Sequence, residues 1–414
     1  MSILSTLWGK GKKAALQCEW AISLDSQITS QLTSGFLDEE SIVAGTADGK
    51  IYAIGSSGKI KWSYSITKSI KKEEAFFMEN ENITRVKSTP IISDINNNGK
   101  GEVIFGSEMG TLYALTHKGQ IFWTFEAKDA ISGSVIAEDI NNDGNVEILF
   151  GSSDGVFYAL KNTGKLLWSF KAGSGIESQP AVLKGASKQI IFGSNDGTVY
   201  SLNEKGKKLW DFKTNGKVTA QPSIGNLYND GRTFIVLGSL DNNLYALTDE
   251  GTLLWSYATE GKIFSRAAFA DLDNDHRHEI VFGSCDDKLH ILSAAGKKIW
   301  DYETNFWVVD SPLVDDFDAD KRLEIAIGSF DSFVYILEAE GNYTIDYMPG
   351  ISAITGQSGH YTELAISEPG SYSGKLLSQF KTDGMIMGLA LMGKKEIIAA
   401  SDVGKIYKLS YKIN

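Results

Sequence analysis

Cysteine, clustered positive charge and proline, which would indicate other classes of protein, are scarce in this sequence. The two cysteines, Cys18 and Cys285, lie far apart and in no Cys-x-x-Cys or Cys/His spacing, so neither a disulfide framework nor a zinc site is expected. A formal net charge of −12, with no stripe of Lys and Arg, argues against nucleic acid as a partner. Only 6 prolines among 414 residues argue against a Pro-rich disordered chain.

Long apolar runs are also missing. No segment approaches the length of a membrane span. The apolar stretch before Gly9 is too short for a signal sequence, its basic residues follow it, and the residues ahead of Cys18 make a poor lipoprotein cleavage site. As written, the chain is expected to be cytoplasmic, and an exported location would follow if a leader had been removed.

What the sequence does contain is one phrase that recurs along the chain. A full copy reads Gly151-Ser-Ser-Asp-Gly-Val-Phe-Tyr-Ala-Leu160 and is followed by Gly-Lys-Leu-Leu-Trp168. Most copies are 45 residues apart, which is the period of a four-stranded propeller blade. Eight copies occur, and they begin at Gly45, Gly106, Gly151, Gly193, Gly238, Gly283, Gly328 and Ala400.

Alternation and turn residues divide each repeat into strands. In the repeat that contains Gly193, a run of β-forming residues ends at this glycine, and Asp196-Gly197 makes a hairpin turn. A second turn leads to an outer strand that contains Trp210. A further strand begins the next unit, so the order is A at the channel, then B, C and D outside. The sequence predicts an all-β fold, an eight-bladed β-propeller of four-stranded antiparallel blades, forming a single domain over residues 1–414.

The eighth blade lacks an outer strand at the C-terminal end of the chain. Trp20 stands eight residues before Ile28, the spacing that separates other outer-strand tryptophans from the next blade, and no C strand precedes it. Residues 1–22 are therefore predicted to supply the missing outer strand and close the ring. The tryptophans at this repeated position are predicted to pack one blade against the next, at Trp62, Trp123, Trp168, Trp210, Trp255 and Trp300.

Two insertions interrupt the period. The first covers residues 64–88, on the face formed by B–C turns and D–A loops, and the second covers residues 342–373, on the opposite face. Their exposed aromatic residues and Met suit a contact surface, although the same residues could pin the loops down. The partner-binding candidates in the insertions are Phe76, Phe77, Met78, Tyr347 and Tyr361.

The repeat has the form GSxDGxxYALxxxxGKxxWxF and resembles the pyrroloquinoline-quinone-type propeller repeat. That family includes eight-bladed quinoprotein dehydrogenases and non-enzymatic scaffolds such as an outer-membrane-assembly propeller lipoprotein. The resemblance implies that an enzyme would place the quinone against a disulfide between adjacent cysteines. Because this chain has no adjacent cysteines, the non-enzymatic branch is favoured and no quinone cofactor is expected.

A second pattern lies between strands A and B and resembles the calcium loops of integrin-type FG-GAP propellers. It follows D-x-[DN]-x-[DN]-G-x-x-[DE], which places alternate oxygen ligands on a tightly curled loop around a hard cation. The alternative is an Asx-rich turn without metal. The loop at Asp139 is predicted to be the best calcium site because it keeps Gly144, where the chain must bend sharply. In two other loops, His276 and Lys321 replace this Gly. The candidate ligands are Asp139, Asn141, Asp143 and Glu147; Asp94, Asn96, Asn98 and Glu102; Asp271, Asp273, Asp275 and Glu279; and Asp316, Asp318, Asp320 and Glu324.

Arg266 is the remaining candidate for a binding residue. It follows Trp255 by eleven residues, as Gln31, Gln179 and Gln221 follow their own tryptophans, and this position is predicted to face the channel mouth. No catalytic constellation is found. The leading hypothesis is a non-catalytic scaffold that binds a protein or peptide and is stabilised by calcium. A carbohydrate-binding propeller is the alternative, and a quinone-dependent dehydrogenase-like enzyme is disfavoured.

Overall fold

The regular structure of this protein consists of β-strands. The computed structural model describes residues 14–66, 85–185, 188–344, 371–393 and 395–413. Within these ranges every regular element is a strand, and no helix that could cross a membrane is found.

The first strand, β1, spans Ala14–Ser23, and the blades follow it in chain order. Blade 1 contains β2 (Thr33–Phe36), β3 (Glu40–Gly45), β4 (Lys50–Gly55) and β5 (Ile60–Ser65). Blade 2 contains β6 (Ile91–Ser93), β7 (Glu102–Gly106), β8 (Thr111–Leu115) and β9 (Ile121–Glu126). Blade 3 contains β10 (Ile136–Glu138), β11 (Glu147–Gly151), β12 (Val156–Lys161) and β13 (Leu166–Lys171). Blade 4 contains β14 (Ala181–Leu183), β15 (Gln189–Gly193), β16 (Thr198–Asn203) and β17 (Lys208–Lys213).

The second half of the ring repeats this arrangement. Blade 5 contains β18 (Ser223–Gly225), β19 (Phe234–Gly238), β20 (Asn243–Thr248) and β21 (Leu253–Ala258). Blade 6 contains β22 (Ala268–Ala270), β23 (Glu279–Gly283), β24 (Lys288–Leu292) and β25 (Lys298–Glu303). Blade 7 contains β26 (Leu313–Asp315), β27 (Glu324–Gly328), β28 (Phe333–Thr344) and β29 (Ser371–Lys381). Blade 8 contains β30 (Ile386–Met392), β31 (Glu396–Ser401), β32 (Lys405–Ile413) and β1.

The N-terminal strand closes the ring, as the tryptophan spacing predicted. In blade 8 the strand order is β1-β32-β31-β30, so β1 is the outermost strand. It runs antiparallel to β32, from Ala14 opposite Ile413 to Ser23 opposite Lys405. Eight blades of antiparallel strands form the propeller, and the predicted fold class is confirmed.

The recurring Asp and Tyr of the repeat stabilise the B–C turn. In blade 3 the Tyr158 hydroxyl donates to the Asp154 carboxylate over 2.8 Å, and Asp154 also accepts the backbone N–H of Val156. Blades 4, 5 and 7 repeat the Tyr-to-Asp bond. In blade 6 His290 replaces the Tyr and lies 3.0 Å from Asp286. This buried histidine therefore occupies a structural position of the repeat.

The outer-strand tryptophans form a seam between neighbouring blades, as predicted. The Trp168 indole N–H donates to the Glu204 carbonyl, 2.9 Å away in the C–D turn of the next blade. Gly206 lies in that turn at φ +75°, and a Cβ there would be 2.6 Å from the Trp168 ring. Glycine is therefore needed both for the backbone conformation and for the close approach of the ring. Trp20, Trp62, Trp123, Trp210 and Trp255 make the same kind of indole bond.

Blade 7 departs from the seam at Ser378, which replaces the tryptophan. The next outer strand there is β1, which belongs to the other end of the chain, so no C–D turn joins it to β32. The Ser378 hydroxyl instead accepts the backbone N–H of Leu16 over 2.9 Å. The exception thus follows from the way the ring is closed.

The hydrophobic core is divided among the interfaces between blades. Eight clusters of buried apolar residues occur in the described chain, each shared by two neighbouring blades. One example joins Val43 and Ile51 of blade 1 to Val103 and Phe105 of blade 2. Since B and C strands are covered on both faces, they are buried along nearly their whole length.

The strand order places both insertions where the period predicted them. The connection from the outer strand of blade 1 to the inner strand of blade 2 runs over residues 66–90, so the first predicted insertion, residues 64–88, begins within β5. Residues 342–373 lie within the C–D hairpin of blade 7. That hairpin is longer than in other blades, with pairing as far as Thr344 opposite Ser371. The predicted contact residues Phe76, Phe77, Met78, Tyr347 and Tyr361 lie outside the described residues.

Candidate functional site

The eight D–A loops meet around one end of the central channel. They surround an opening of about 440 Å³, called the mouth here, to which every blade contributes. Two equivalent positions between the D and A strands or at the start of the A strand supply most of its wall, the outer one at all eight blades and the inner one at seven of them. The outer position holds Thr29, Lys87, Ser132, Glu177, Thr219, Phe264, Val309 and Met387, and the inner position holds Gln31, Thr89, Ser134, Gln179, Gln221, Arg266 and Ser311. The predicted location of Gln31, Gln179, Gln221 and Arg266 is confirmed.

Arg266 is the only charged residue at the inner position. No hydrogen bond or ion pair of its guanidinium is found within the described residues, although its backbone N–H donates to the Ser311 hydroxyl. Its side chain faces the channel, and the surrounding protein lowers its pKa below the usual value because the charged form loses hydration. Together with Gln221 it also lines a second cavity of about 410 Å³ between the inner strands of blades 2–5.

Gln31 and Gln179, the two other glutamines at the inner position, have hydrogen-bond partners in the protein, unlike Gln221, for which none is found in the described chain. The Gln179 amide donates to the Val135 carbonyl over 3.2 Å. The Gln31 amide donates over 3.0 Å to Asp310, which stands where the other D–A loops carry Ser, Gly or Ala. Burial raises the pKa of Asp310 to about 7, and Leu389 donates its backbone N–H to the same carboxyl group. Asp310 therefore ties blades 7, 8 and 1 together behind the mouth.

An apolar sector covers the same face of the disc at blades 6–8. We use this name for Phe264, Phe306, Trp307, Phe330, Met385 and Val403, which lie in D–A loops or B–C turns. The rings of Phe306 and Trp307 are stacked with centroids 5.1 Å apart, and the Phe330 ring is 6.3 Å from Trp307. Phe306 is 42% exposed and Trp307 40% exposed. Rings this accessible are typical of a contact surface.

The sequence interpretation missed this sector, although a signal for it was present. Phe306 and Trp307 follow the seam residue Trp300 at positions where the two preceding blades carry Gly216-Lys217 and Gly261-Lys262. A comparison of each loop with the equivalent loops of the other blades would have identified the pair. The departure from the repeat is the informative feature.

The A–B loops on the opposite face share one hydrogen-bonding pattern. In the loop at Asp139, that carboxylate accepts the N–H groups of Asp143 and Gly144, and Glu147 accepts the N–H of Ile140 over 3.0 Å. The loops at Asp94, Asp271 and Asp316 repeat the bond to the ninth-position Glu, which Glu102, Glu279 and Glu324 accept. The Asx-turn bonds expected of a metal-free loop are thus formed, and they curl the oxygens into one place.

Two of these loops bring three carboxylates together. Within the described chain, groups whose oxygens all lie within 4.8 Å of one another are Asp271, Asp273 and Glu279, and Asp316, Asp318 and Asp320. Burial, followed by repulsion from the neighbouring carboxylates, raises the pKa of Glu279 to about 7. The same causes raise the pKa of Glu324 to about 7. A cation would relieve this repulsion, so these side chains are suitable ligands for a hard divalent ion.

Backbone strain and a neighbouring amine distinguish the loops further. His276 has φ 70° and Lys321 has φ 74°, whereas Gly99 and Gly144 adopt the same left-handed region without a Cβ. The Lys395 amine lies 3.7 Å from Asp316, so an internal cation already neutralises part of that loop. The carboxylate-rich loops therefore carry the strain that the sequence predicted for them.

Comparison with known proteins supports the propeller and its repeat type. A family model described as "Outer membrane protein assembly factor BamB" matches residues 108–275, and one described as a lambda-carrageenase β-propeller domain matches residues 246–347. No curated protein shows significant sequence similarity to the chain. The repeats are thus of the pyrroloquinoline-quinone-like propeller type, as predicted.

Solved structures of similar fold cover nearly all of the chain. BamB from Moraxella catarrhalis is 16% identical with a TM-score of 0.63, covering 96% of this chain and 98% of its own. The computationally designed Ika8 protein is 15% identical with a TM-score of 0.65, covering 97% and 100%. Sqt1 of Saccharomyces cerevisiae is 12% identical with a TM-score of 0.66, covering 98% and 100%. At these identities the likeness shows the fold alone.

Proposed function

We propose that this chain, a propeller of pyrroloquinoline-quinone-like repeats, is a non-catalytic scaffold that binds another protein through the apolar sector. The observation that carries the proposal is the stacked pair of Phe306 and Trp307, exposed beside the channel mouth. Large aromatic residues next to a concave opening are the usual anchors of protein interfaces. The rest of the disc holds them on a rigid support.

The kind of repeat agrees with this role. The family model that matches residues 108–275 is named for a factor in the assembly of outer membrane proteins, and an assembly factor acts by binding other proteins. The support for a non-catalytic role comes from the side chains: His290 is used by the repeat, and Cys18 and Cys285 lie in blades 8 and 6, away from each other. A quinone held against adjacent cysteines is therefore not part of the proposal.

Calcium is proposed as a structural ligand of the A–B loops. The support is the convergence of oxygens in the Asp271 and Asp316 loops, together with a raised pKa for Glu279 that reflects unrelieved repulsion as well as burial. The loops at Asp139 and Asp94 have fewer carboxylates but carry Gly where the chain bends. Bound calcium would stiffen one face of the disc and leave the mouth on the other face free.

The proposal is tested by comparing two matched double variants. Phe306→Ser/Trp307→Ser removes the stacked pair, and Leu253→Ser/Leu254→Ser removes two side chains of the outer strand of blade 5 that are each 44% exposed. A protein that copurifies with the full chain should be lost from the first variant and kept by the second. Equal retention by both variants would contradict the proposal.

Carbohydrate binding is the second candidate. The model for a lambda-carrageenase propeller domain matches residues 246–347, the part of the chain that carries Phe264, Phe306, Trp307 and Phe330. Exposed aromatic rings also provide platforms for sugar rings. Glycan-array binding that disappears with Trp307→Ser would favour this candidate, whereas an array without signal would favour a protein partner.

A further inference from the structure

Unpartnered hydrogen-bond donors collect on one wall of the mouth. The Arg266 guanidinium has no partner within the described residues, and neither does the Gln221 amide on the neighbouring D–A loop. The Thr219 hydroxyl oxygen, on the same loop as Gln221, is buried without a partner. The Arg266 side chain is exposed to the solvent of the mouth and is therefore accessible to an acceptor on a ligand, as is the half-buried Gln221 amide.

The net positive charge of the mouth favours a negatively charged ligand. Lys87, Glu177 and Arg266 are its charged lining residues, so the mouth is net positive in a chain whose formal net charge is −12. Glu177 is already held by the Asn195 amide over 2.8 Å. Lys87 belongs to the D–A loop before blade 2, which is opposite the loop before blade 6 that carries Arg266. A single guanidinium on this wall suits one negative charge with two oxygens, which is a carboxylate.

The surroundings of Arg266 are apolar on the side of blades 6–8. Phe264 is two residues away on the same loop, and Val309 and Met387 hold the equivalent outer position in the next two loops. Trp307 and Phe330 complete this side of the lining. A ligand that reaches Arg266 therefore passes an apolar wall on one side and a hydroxyl- and amide-rich wall on the other.

We propose that the mouth binds an extended segment of the protein partner in which a Glu or Asp side chain lies next to a large apolar residue. The carboxylate pairs with Arg266 and accepts a hydrogen bond from the Gln221 amide, while the apolar side chain packs on Phe264 and Trp307. This inference rests on the proposed function and adds to it the chemistry of the partner. An opening of about 440 Å³ accommodates a few side chains, not a folded domain.

The repeat itself supplies a safe substitution for the test. Gln occupies the equivalent position in three other blades, at Gln31, Gln179 and Gln221, so Arg266→Gln should fold normally. Lys59→Gln, on an exposed C–D turn of the opposite face, changes the net charge equally and serves as the control. Arg266→Lys keeps the charge and loses the two-pronged donor geometry.

The probe is a phage-displayed library of random linear heptapeptides, selected on the immobilised full chain and on each variant. Wild type and Lys59→Gln should enrich peptides with Asp or Glu beside an aromatic residue or Leu, and Arg266→Gln should lose the acidic preference. A selected peptide, synthesised and measured by calorimetry, should bind Arg266→Gln at least tenfold more weakly than wild type, with Arg266→Lys between them. Replacing its acidic residue by the amide should cost little further affinity on Arg266→Gln.

The outcomes separate this inference from the proposed function. An empty selection, peptides without acidic preference, or acidic peptides that bind Arg266→Gln as tightly as wild type would each overturn the inference. A partner that still depends on Phe306 and Trp307 in that case would leave the scaffold role standing. A partner that binds equally well without the aromatic pair would instead contradict the proposed function.

Discussion

The outer seam is built from residues that repeat from blade to blade, whereas the face around the mouth is built from residues that differ between blades. At the seam, Trp123 and Trp168 meet a C–D turn of the next blade in the same way, with an indole bond to a carbonyl and a close approach to Gly164 or Gly206. Around the mouth, the residues at the equivalent outer position differ: they are polar in the loops before blades 1–5 and apolar in the loops before blades 6–8. The repeated residues specify the ring, and the residues that break the repeat specify the surface.

Loss of the closing strand should have the largest effect. Removing residues 1–22 deletes most of β1, exposes the edge of β32 and removes Trp20 from the seam. The aromatic truncation alone corresponds to about 3–5 kcal/mol of unfolding free energy, and the lost pairing adds to it. We expect an insoluble chain or a much lower melting temperature. A truncated chain as soluble and stable as the full chain would contradict the closure.

The contrast between seam and mouth can be tested with two tryptophans. Trp168→Ala should cost about 3–5 kcal/mol of unfolding free energy because it empties the contact with Gly206. Trp307→Ala should change stability by about 0.5 kcal/mol or less, since its ring is 40% exposed. Urea denaturation measures both. Equal losses would mean that the aromatic pair at the mouth is structural.

Much of the ring could be predicted because its signals repeat. The tryptophan spacing indicated that residues near Trp20 form an outer strand, and turn residues located the A–B loops correctly. The apolar sector was missed because Phe306 and Trp307 interrupt the period and look like ordinary loop residues unless they are compared with the equivalent positions of other blades. The exception at Ser378 likewise depends on the meeting of chain ends in space.

The metal loops show another limit of sequence reasoning. The motif favoured Asp139 because Gly144 removes strain, but three-carboxylate groups form in the loops at Asp271 and Asp316. The positions of the carboxylate oxygens depend on side-chain hydrogen bonds, such as the one that the Asn141 side-chain amide donates to Glu147. The spacing of residues in the sequence does not reveal these hydrogen bonds. Calcium in any loop stays a prediction.

Calcium should have an intermediate effect on stability. A cation that binds only the folded state raises the unfolding free energy by about 2.7 kcal/mol at a hundredfold excess over Kd. The melting temperature should therefore rise with calcium and fall with chelator. Asp273→Ala and Asp143→Ala should blunt the response more than Asn98→Ala, which removes a neutral ligand. A melting curve that ignores calcium and chelator, with no metal in the purified protein, would leave these loops as Asx turns.

A further effect concerns pH and Asp310. Burial raises the pKa of this carboxyl group from 3.8 to about 7, so the folded chain holds a proton that the unfolded chain releases. Its contribution to stability is present below the unfolded pKa and is lost as pH rises through the folded pKa, by about 1.4 kcal/mol per pH unit at most. Thermal melts at pH 5.5 and 7.5 should differ less in Asp310→Asn than in wild type. An identical difference in both chains would exclude Asp310 as the titrating group.

The central claim is that the apolar sector is the partner surface, and amide hydrogen exchange of the full chain with and without a copurified partner tests it most directly. We predict slower exchange in the partner complex at residues 304–309, 329–332 and 384–387, with little change in the A–B loops of the opposite face. Protection confined to residues 67–84, or to the A–B loops, would contradict the claim and move the binding site away from blades 6–8.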